Sequence, residues 1–419
     1  MIGNRNGKRF IPFSLDAVNF LLADVRGALG PFLNVFLVTQ QHWSQTQVGL
    51  VTTVGGLLGL AAQTPIGAAI DETRAKRGVI VLALAVLAVG ATTIFALPTF
   101  WPVTIATSLM AVVGDVFGPS VAALTLGLYT RKQLARRLGR NAAFDHAGNV
   151  AIAVMAGAVG YVFSQRAVFL LVPVFAVLAG IAVLSIPYKA INLDRARDLD
   201  QEPDAAERPV VAAGYSILFA SRSLVIFGLC VMLFHLANAA LLPLVGQQLA
   251  AAFPEEATAM MSACIVAAQL VMLPISLLVG RTADSWGRKP LFLAGFAILP
   301  VRAVLYTFSD NSFWLIGVQL LDGVGAGIFG ALTPLVIADL MRGTGRYNLA
   351  FGAIATMQGI GASLSGLAAG VIVDHFGYSA TFLTLGVAAG IALIVFALGM
   401  PETAELGQPS VGQRDGVSH

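Results

Sequence analysis

Twelve long apolar runs, separated by short polar breaks, decide what this chain can become. They lie at about residues 14–39, 46–70, 78–97, 102–128, 141–163, 167–187, 222–248, 257–280, 290–308, 313–340, 347–373 and 379–400. A helix needs roughly 20 mostly apolar residues to cross a bilayer, and hydrocarbon tolerates only helices or closed barrels because it offers unpaired backbone groups no partner. The runs are continuous and do not alternate, which excludes a barrel and leaves an all-α membrane protein. Composition agrees: 57% of the 419 residues are hydrophobic and 11% charged, with a mean hydropathy of +0.82, far outside the range of a soluble domain.

Charge then orients the spans. Arg5, Lys8 and Arg9 precede the first run, Arg74, Lys76 and Arg77 follow the second, and Arg131, Lys132, Arg136, Arg137 and Arg140 follow the fourth. The alternate breaks, such as QQHWSQ and ALPTFWP, hold almost no basic residue, with Arg166 the exception. The positive-inside rule predicts a multi-pass protein of the cell (inner) membrane with both termini in the cytoplasm. This distribution also accounts for the net charge of +3 without a nucleic-acid partner. The first run holds charges and is about 25 residues long, so it reads as a retained span and not as a cleaved leader. Cys230 and Cys264 stand inside apolar runs and read as packing residues, with neither a disulfide framework nor a zinc site around them.

The longest polar interruption, KAINLDRARDLDQEPDAAERPVVAAGYSILFASRS, separates the sixth run from the seventh. It predicts an N-terminal six-helix bundle over 1–188, a cytoplasmic linker over 189–221, a C-terminal bundle over 222–400 and a tail over 401–419. The halves echo each other: GAAIDETRAKRG after the second span answers GRTADSWGRKP after the eighth, and LGRNAAF before the fifth answers TGRYNLAF before the eleventh. Such similarity fits parallel repeats about an axis along the membrane normal.

The stretch from Gly280 through Asp284 to Gly287, Arg288 and Lys289 resembles the signature loop of the major facilitator superfamily. In the first half Gly67 and Asp71 match it, Arg74 occupies the glycine place, and Lys76 with Arg77 keeps the basic end. Met400-Pro-Glu-Thr403 also resembles the close of many family members. The resemblance implies a secondary transporter of a small-molecule substrate, in which two six-helix bundles rock about a midplane site lined by spans 1, 4, 7 and 10. It gives Gly67, Asp71, Gly280, Asp284, Gly287 and Arg288 a gating role. An aspartate at a helix end can pair with arginine or accept from backbone N–H groups, while glycine permits the tight turn. Two departures set this chain apart from proton-coupled drug antiporters: span 5 reads HAGNVAIAVMAGAVG, without their proline-glycine pattern, and span 4 reads SLMAVVGDVFGPS, without their basic residue.

Ionised groups at mid-bilayer cost roughly 2.5–3.5 kcal/mol on insertion scales and usually mark pathways or paired sites. Asp24 and Arg26 stand near the middle of the first span, two positions apart, so on one continuous helix they point to nearly opposite sides and each needs another partner. Asn19, Arg26, Gly30 and Asn34 form one polar stripe, which reads as a cavity wall with Arg26 as substrate contact; the competing reading is an ion pair with a neighbouring helix. Asp24 lies on a small-residue face and is either a proton site or a structural hydrogen bonder. In span 4 Asp115 sits on a stripe with Thr104, Ser108, Gly118 and Ala122, and in span 10 Asp322 and Gln319 do likewise, Asp322 being the approximate counterpart of Asp115. Span 7 adds His235 and Asn238 on one face. Asn141, Asp145 and Asn149 form a row at the start of span 5, either a gate network or the solvated cap of a helix end. Arg302, close to the outer end of span 9, is expected to snorkel to water. Gly55, Gly56 and Gly59 are expected to permit close helix packing.

These residues support a proton-coupled transporter of a small organic solute, with an anionic group to match Arg26 and with Asp24, Asp115, Asp322 and His235 to take the proton. The alternatives are export of a cationic or amphipathic compound by proton antiport, with Asp115 and Asp322 contacting it, and a membrane receptor that binds without moving solute. An enzyme is disfavoured, since there is no His-Glu-x-x-His metal motif, and an ATP-driven pump likewise, since no phosphate-binding Gly-x-x-x-x-Gly-Lys loop occurs. No cofactor is implied.

Overall fold

The computed structural model describes residues 5–23, 29–73, 75–192, 221–342, 344 and 347–404; the side chains of 5–11, 68, 71, 72, 131, 132, 135 and 348 fall outside the description. The predicted substrate and proton residues Arg26 and Asp24 lie outside the described residues, as does the side chain of Asp71.

Among the described residues the chain is helical, with no strand. The first half comprises α1 (Arg5–Leu22), α2 (Gly30–Thr39), α3 (Gln45–Glu72), α4 (Lys76–Ala96), α5 (Phe100–Leu128), α6 (Arg131–Val162) and α7 (Leu171–Ser185). The second comprises α8 (Arg222–Asn238), α9 (Leu241–Ala252), α10 (Ala257–Trp286), α11 (Arg288–Leu305), α12 (Ser312–Leu340) and α13 (Tyr347–Gly399), the last bent at Gly377. Span 1 is built from α1 and α2, span 7 from α8 and α9, and spans 11 and 12 from the two limbs of α13, which makes twelve crossings. With an even number of crossings, both termini stand at one end of the bundle, called here the terminal end; the opposite one is the far end.

Turn chemistry sets the boundaries. Ser44 and Gln47 form a reciprocal capping box at the start of α3, at 3.1 and 3.0 Å. Asn311 caps α12 through the N–H groups of Phe313 and Trp314. Gly287 (φ 88°) and Gly377 (φ 80°) take left-handed backbone angles where the chain reverses. Arg166, the exception to the charge pattern, donates to the carbonyls of Phe95 and Ala96 and so caps the C-terminus of α4.

Two predicted boundaries need correction. The basic stretch 131–140 is not a loop: α6 begins at Arg131, because Arg, Lys, Leu and Ala are good helix formers and nothing breaks the helix there. Span 1 is not one helix: α1 stops at Leu22 and α2 starts at Gly30, followed by Pro31, so Asn19 and Asn34 belong to separate helices and share no continuous stripe.

Buried apolar side chains gather in two clusters. One draws mainly on residues from Leu15 to Ile191, the other on residues from Leu224 to Met400. Outward faces carry exposed apolar residues such as Val89, Ile181 and Leu398, as lipid contact requires.

Candidate functional site

Among the described residues the halves meet chiefly along seams where α3 packs on the first limb of α13, α6 on α10, and α2 on α9. The first is made of residues too small to hold helices apart. A methyl group added at Gly49 would collide with the Gly366 carbonyl, one at Gly370 with the Gln45 carbonyl, and one at Gly56 with the Ser363 side chain. Gly55 and Gly59 pack against α5, so the expectation that these glycines serve close packing holds. In the second seam Ser262 donates to the Ala153 carbonyl at 2.6 Å and Gly157 admits the same serine. Every one of these contacts lies in the far half of the bundle.

A carboxylate completes the far-end closure. Asp374, from the first limb of α13, accepts from the backbone N–H of Gln45 (3.1 Å) and Thr46 (2.8 Å) and from the Thr46 hydroxyl (2.6 Å), so it sits on the N-terminus of a helix in the other half. Gln45 Nε2 also donates to the Tyr378 hydroxyl at 3.0 Å. Toward the terminal end the same helices part: Gln63, Thr64 and Pro65 on α3 and Phe351, Gly352 and Gln358 on α13 are exposed. Among the described residues the bundle is closed at the far end and open at the terminal end.

A cavity rich in polar groups lies in the second half. It measures about 340 Å³ and its wall includes Phe234, His235, Asn238, Arg302, Asp322, Phe329 and Gln358. The break between α8 and α9 places it: the helix stops at Asn238, and Ala240 N–H is taken by the Ser365 hydroxyl at 3.0 Å. His235 bonds the Val231 carbonyl through Nδ1 at 2.8 Å, which makes Nδ1 the donor and leaves Nε2 the basic nitrogen. Phe234 and Phe329 stack with centroids 3.9 Å apart, and His235 meets the Phe329 ring edge-on.

Arg302 does not snorkel. It is 2% exposed and pairs through Nη1 with Asp322 Oδ1, while Nη2 donates to Asn238 Oδ1 at 2.7 Å. Asp322 faces α11 across a short gap, so a carboxylate is nearer to the guanidinium than water is. The row continues behind the cavity: Gln319 Nε2 donates to Asp322 Oδ2 at 3.0 Å, and the Tyr306 hydroxyl donates to Gln319 Oε1. Gln319, expected to contact the solute, is fully buried and stands outside the cavity wall, bonded to Asp322. Arg302 Nε is buried without a partner, one donor in the wall still unmet. Of the pair, only Asp322 was legible as a polar group at depth; Arg302 reads from its position as snorkelling, and the pairing is hidden because the two stand on different helices.

The other predicted residues are scattered. Asn19 donates to the Leu15 carbonyl at 2.7 Å and, with Asn141 and Asp145, lines a cavity of about 230 Å³ in the first half. Asn141 is not a cap: it lies inside α6, accepts from Arg137 Nε at 2.7 Å and donates to Thr125 at 3.0 Å. Arg137 pairs at 2.7 Å with Asp16, both 4% exposed, and Arg140 joins the same carboxylate. Asp16 and Arg137 were missed because their residues read as a span start and a solvated loop. Asn34 lines a third cavity of about 100 Å³ in the far-end seam, where its Oδ1 and Gln247 Oε1 are buried without a partner. Asp115 faces α3 beside Gly59 and lines none of these three cavities.

At the signature loop Asp284 bonds Arg288 at 2.6 Å, and Arg288 reaches Asp339 at 3.2 Å, tying α10, α11 and α12 together at the terminal end. Glu402 accepts the backbone N–H groups of Arg288 (2.9 Å) and Lys289 (3.1 Å). Partial burial alone would raise the Glu402 carboxyl, but four backbone amides outweigh it and hold the group below the usual carboxylate range. Gly67 and Gly280 meet nothing within reach of an added methyl group.

Two six-helix halves that close on each other at one end and enclose a polar cavity between membrane helices define a polytopic membrane carrier. The family profile described as Major Facilitator Superfamily matches residues 15–275 and again 228–417. The chain belongs to that superfamily and is an MFS transporter. An uncharacterized MFS-type transporter of Mycobacterium tuberculosis is 47% identical over 392 residues, covering 94% of this chain and 93% of the relative. The multidrug efflux pump LfrA of Mycolicibacterium smegmatis is 29% identical over 149 residues, 36% of this chain and 29% of the pump. The crystal structure of the nucleoside transporter NupG shares the fold, with a TM-score of 0.75 at 12% identity over 92% of this chain and 98% of that one.

Proposed function

We propose that this transporter carries a small organic solute with an anionic group, together with a proton, through the cavity beside Arg302 and Asp322. The observation that carries the reading is the buried Arg302–Asp322 pair in the cavity wall. As a pair it is electrically neutral. An anion that takes Arg302 must displace Asp322, and a carboxylate left unpaired at that depth costs several kcal/mol unless it accepts a proton. Anion and proton thus enter together, and the site's net charge is unchanged. His235, with Nε2 as its basic nitrogen, is a second place for the proton within the same wall.

The charge pattern of the breaks puts the terminal end in the cytoplasm, so the closed far end and open terminal end make this an inward-facing conformation. Alternation consists of opening the Gly49–Gly366 and Gly157–Ser262 seams while the terminal ends close. A second reading draws on the stacked Phe234–Phe329 wall. A flat aromatic or amphipathic cation could lie on it with Asp322 as counter-charge, in keeping with the partial similarity to efflux pumps.

A thermal-stability panel of organic anions, organic cations and nucleosides separates the two. Anions are expected to raise the unfolding temperature of the parent protein, more at pH 5.5 than at pH 8, and to lose the effect in Arg302→Gln. Stabilisation by cations alone, unchanged in Arg302→Gln, would establish the second reading in place of the first.

A further inference from the structure

The small cavity in the far-end seam has a wall with unmet oxygens. It measures about 100 Å³, and Asn34 from α2, Gln45 and Thr52 from α3, and Pro243 and Gln247 from α9 line it together with Ala239. Gln247 is 2% exposed, and its Oε1 and the Asn34 Oδ1 are buried without a partner. The two amides stand on opposite halves of the protein. A third acceptor comes from the break between α8 and α9. Pro243 has no N–H to offer the Ala239 carbonyl four residues before it, at the C-terminal, partly negative end of α8.

Donors on the same wall are already engaged. The Thr52 hydroxyl bonds the carbonyls of Val48 (3.1 Å) and Gly49 (3.0 Å), Gln45 Nε2 goes to Tyr378, and the Ala240 N–H goes to Ser365. Both buried side-chain atoms left unmet here are oxygens. A water could donate to two of the acceptors, but its own lone pairs would then face no unmet buried donor. The space is also too small for an organic solute, whose pockets run to roughly 300–1,000 Å³. Carbonyl oxygens without donors among them match a cation. Among the described residues that line the cavity none is an acid, a histidine or a cysteine, which disfavours calcium and the transition metals and leaves a singly charged ion.

We infer that this cavity binds an alkali-metal cation, held by Asn34 Oδ1, Gln247 Oε1 and the carbonyl end of α8, and that the ion fastens the far end shut. Unwound carbonyls at the C-terminal end of a half-helix are cation ligands of this kind inside membranes. Because the two amides belong to different halves, parting the Gly49–Gly366 seam pulls the ligand set apart. The ion therefore binds the closed far end more tightly than the open one and draws the equilibrium toward it. This holds whichever solute the transporter carries.

The test places the purified full chain in sodium, potassium or choline chloride at equal ionic strength. Sodium or potassium is expected to raise the unfolding temperature a few degrees above its value in choline, in a saturable manner. The same ion should move the distances between spin labels at the exposed positions His42 and Phe376 toward the short, closed population. Gln247→Met and Asn34→Leu keep the size of the side chain but remove its oxygen, and each should lose most of both responses. Gln247→Glu adds a charge to the ligand set and should reach the same stabilisation at a lower sodium concentration. Equal unfolding temperatures in all the salts, or a full sodium response in both Gln247→Met and Asn34→Leu, would overturn the site and leave the cavity to water. Label distances that lengthen or stay unmoved in sodium would overturn the fastening role.

Discussion

Asp322→Ala is expected to destabilise the protein by about 3–5 kcal/mol and to abolish transport, the larger of the single-residue effects the site implies. The substitution leaves Arg302, 2% exposed, as an uncompensated charge in the bundle, with the neutral Asn238 amide and the Tyr306 ring beside it. Removing both charges is a different experiment. Arg302→Met with Asp322→Leu replaces the pair by apolar groups of similar volume, and should return stability to within about 1–2 kcal/mol of the parent while transport stays absent. Thermal unfolding in detergent measures the first quantity and uptake into proteoliposomes the second. A double variant as unstable as Asp322→Ala would mean that the pair holds the fold and that its charges are not kept for function.

Gly370→Val should open the far end. Its added carbons collide with the Gln45 backbone carbonyl, and main chain cannot yield as a flexible side chain would. Overpacking of this kind costs about 1–3 kcal/mol, a shift of roughly five- to 150-fold in the equilibrium between the two conformations. Spin labels at the exposed positions His42 and Phe376, one on each side of the seam, should move apart in the variant. An unchanged distance would show that the glycines serve packing within a rigid contact and not an alternating one. Gly280, which meets nothing, is the matching control: the same substitution there should leave the distance as it was.

Much of the fold could be read from the chain because the bilayer restricts the choice so severely. Once hydrocarbon forbids open backbone, twelve apolar runs fix twelve crossings, and the Gly280–Lys289 loop adds the family. Boundaries failed where intrinsic helix preference overrode charge, as at Arg131 to Arg140, and where α1 stopped at Leu22 and a new helix began at Gly30 within an apparently continuous apolar run. The site was legible only in parts. His235, Asn238 and Asp322 were picked out as polar groups at depth and do share one cavity. Arg302 was misplaced for a physical reason: distance along a helix predicts access to water, but a carboxylate on an adjacent helix competes with water, and helix adjacency is not written in one chain. Glu402 was noticed only as part of a closing motif, and its role as the cap of α11 depends on two segments more than a hundred residues apart in sequence coming together.

Proton movement tests the coupling most directly. With the protein in proteoliposomes and a pH-sensitive dye in the lumen, each solute that stabilises the protein is added outside. Acidification of the lumen together with anion uptake is the predicted result for the parent, whereas Asp322→Asn should still exchange labelled solute for unlabelled solute but move no protons. Solute accumulation in the parent with no pH change, or proton movement undiminished in Asp322→Asn, would contradict the account.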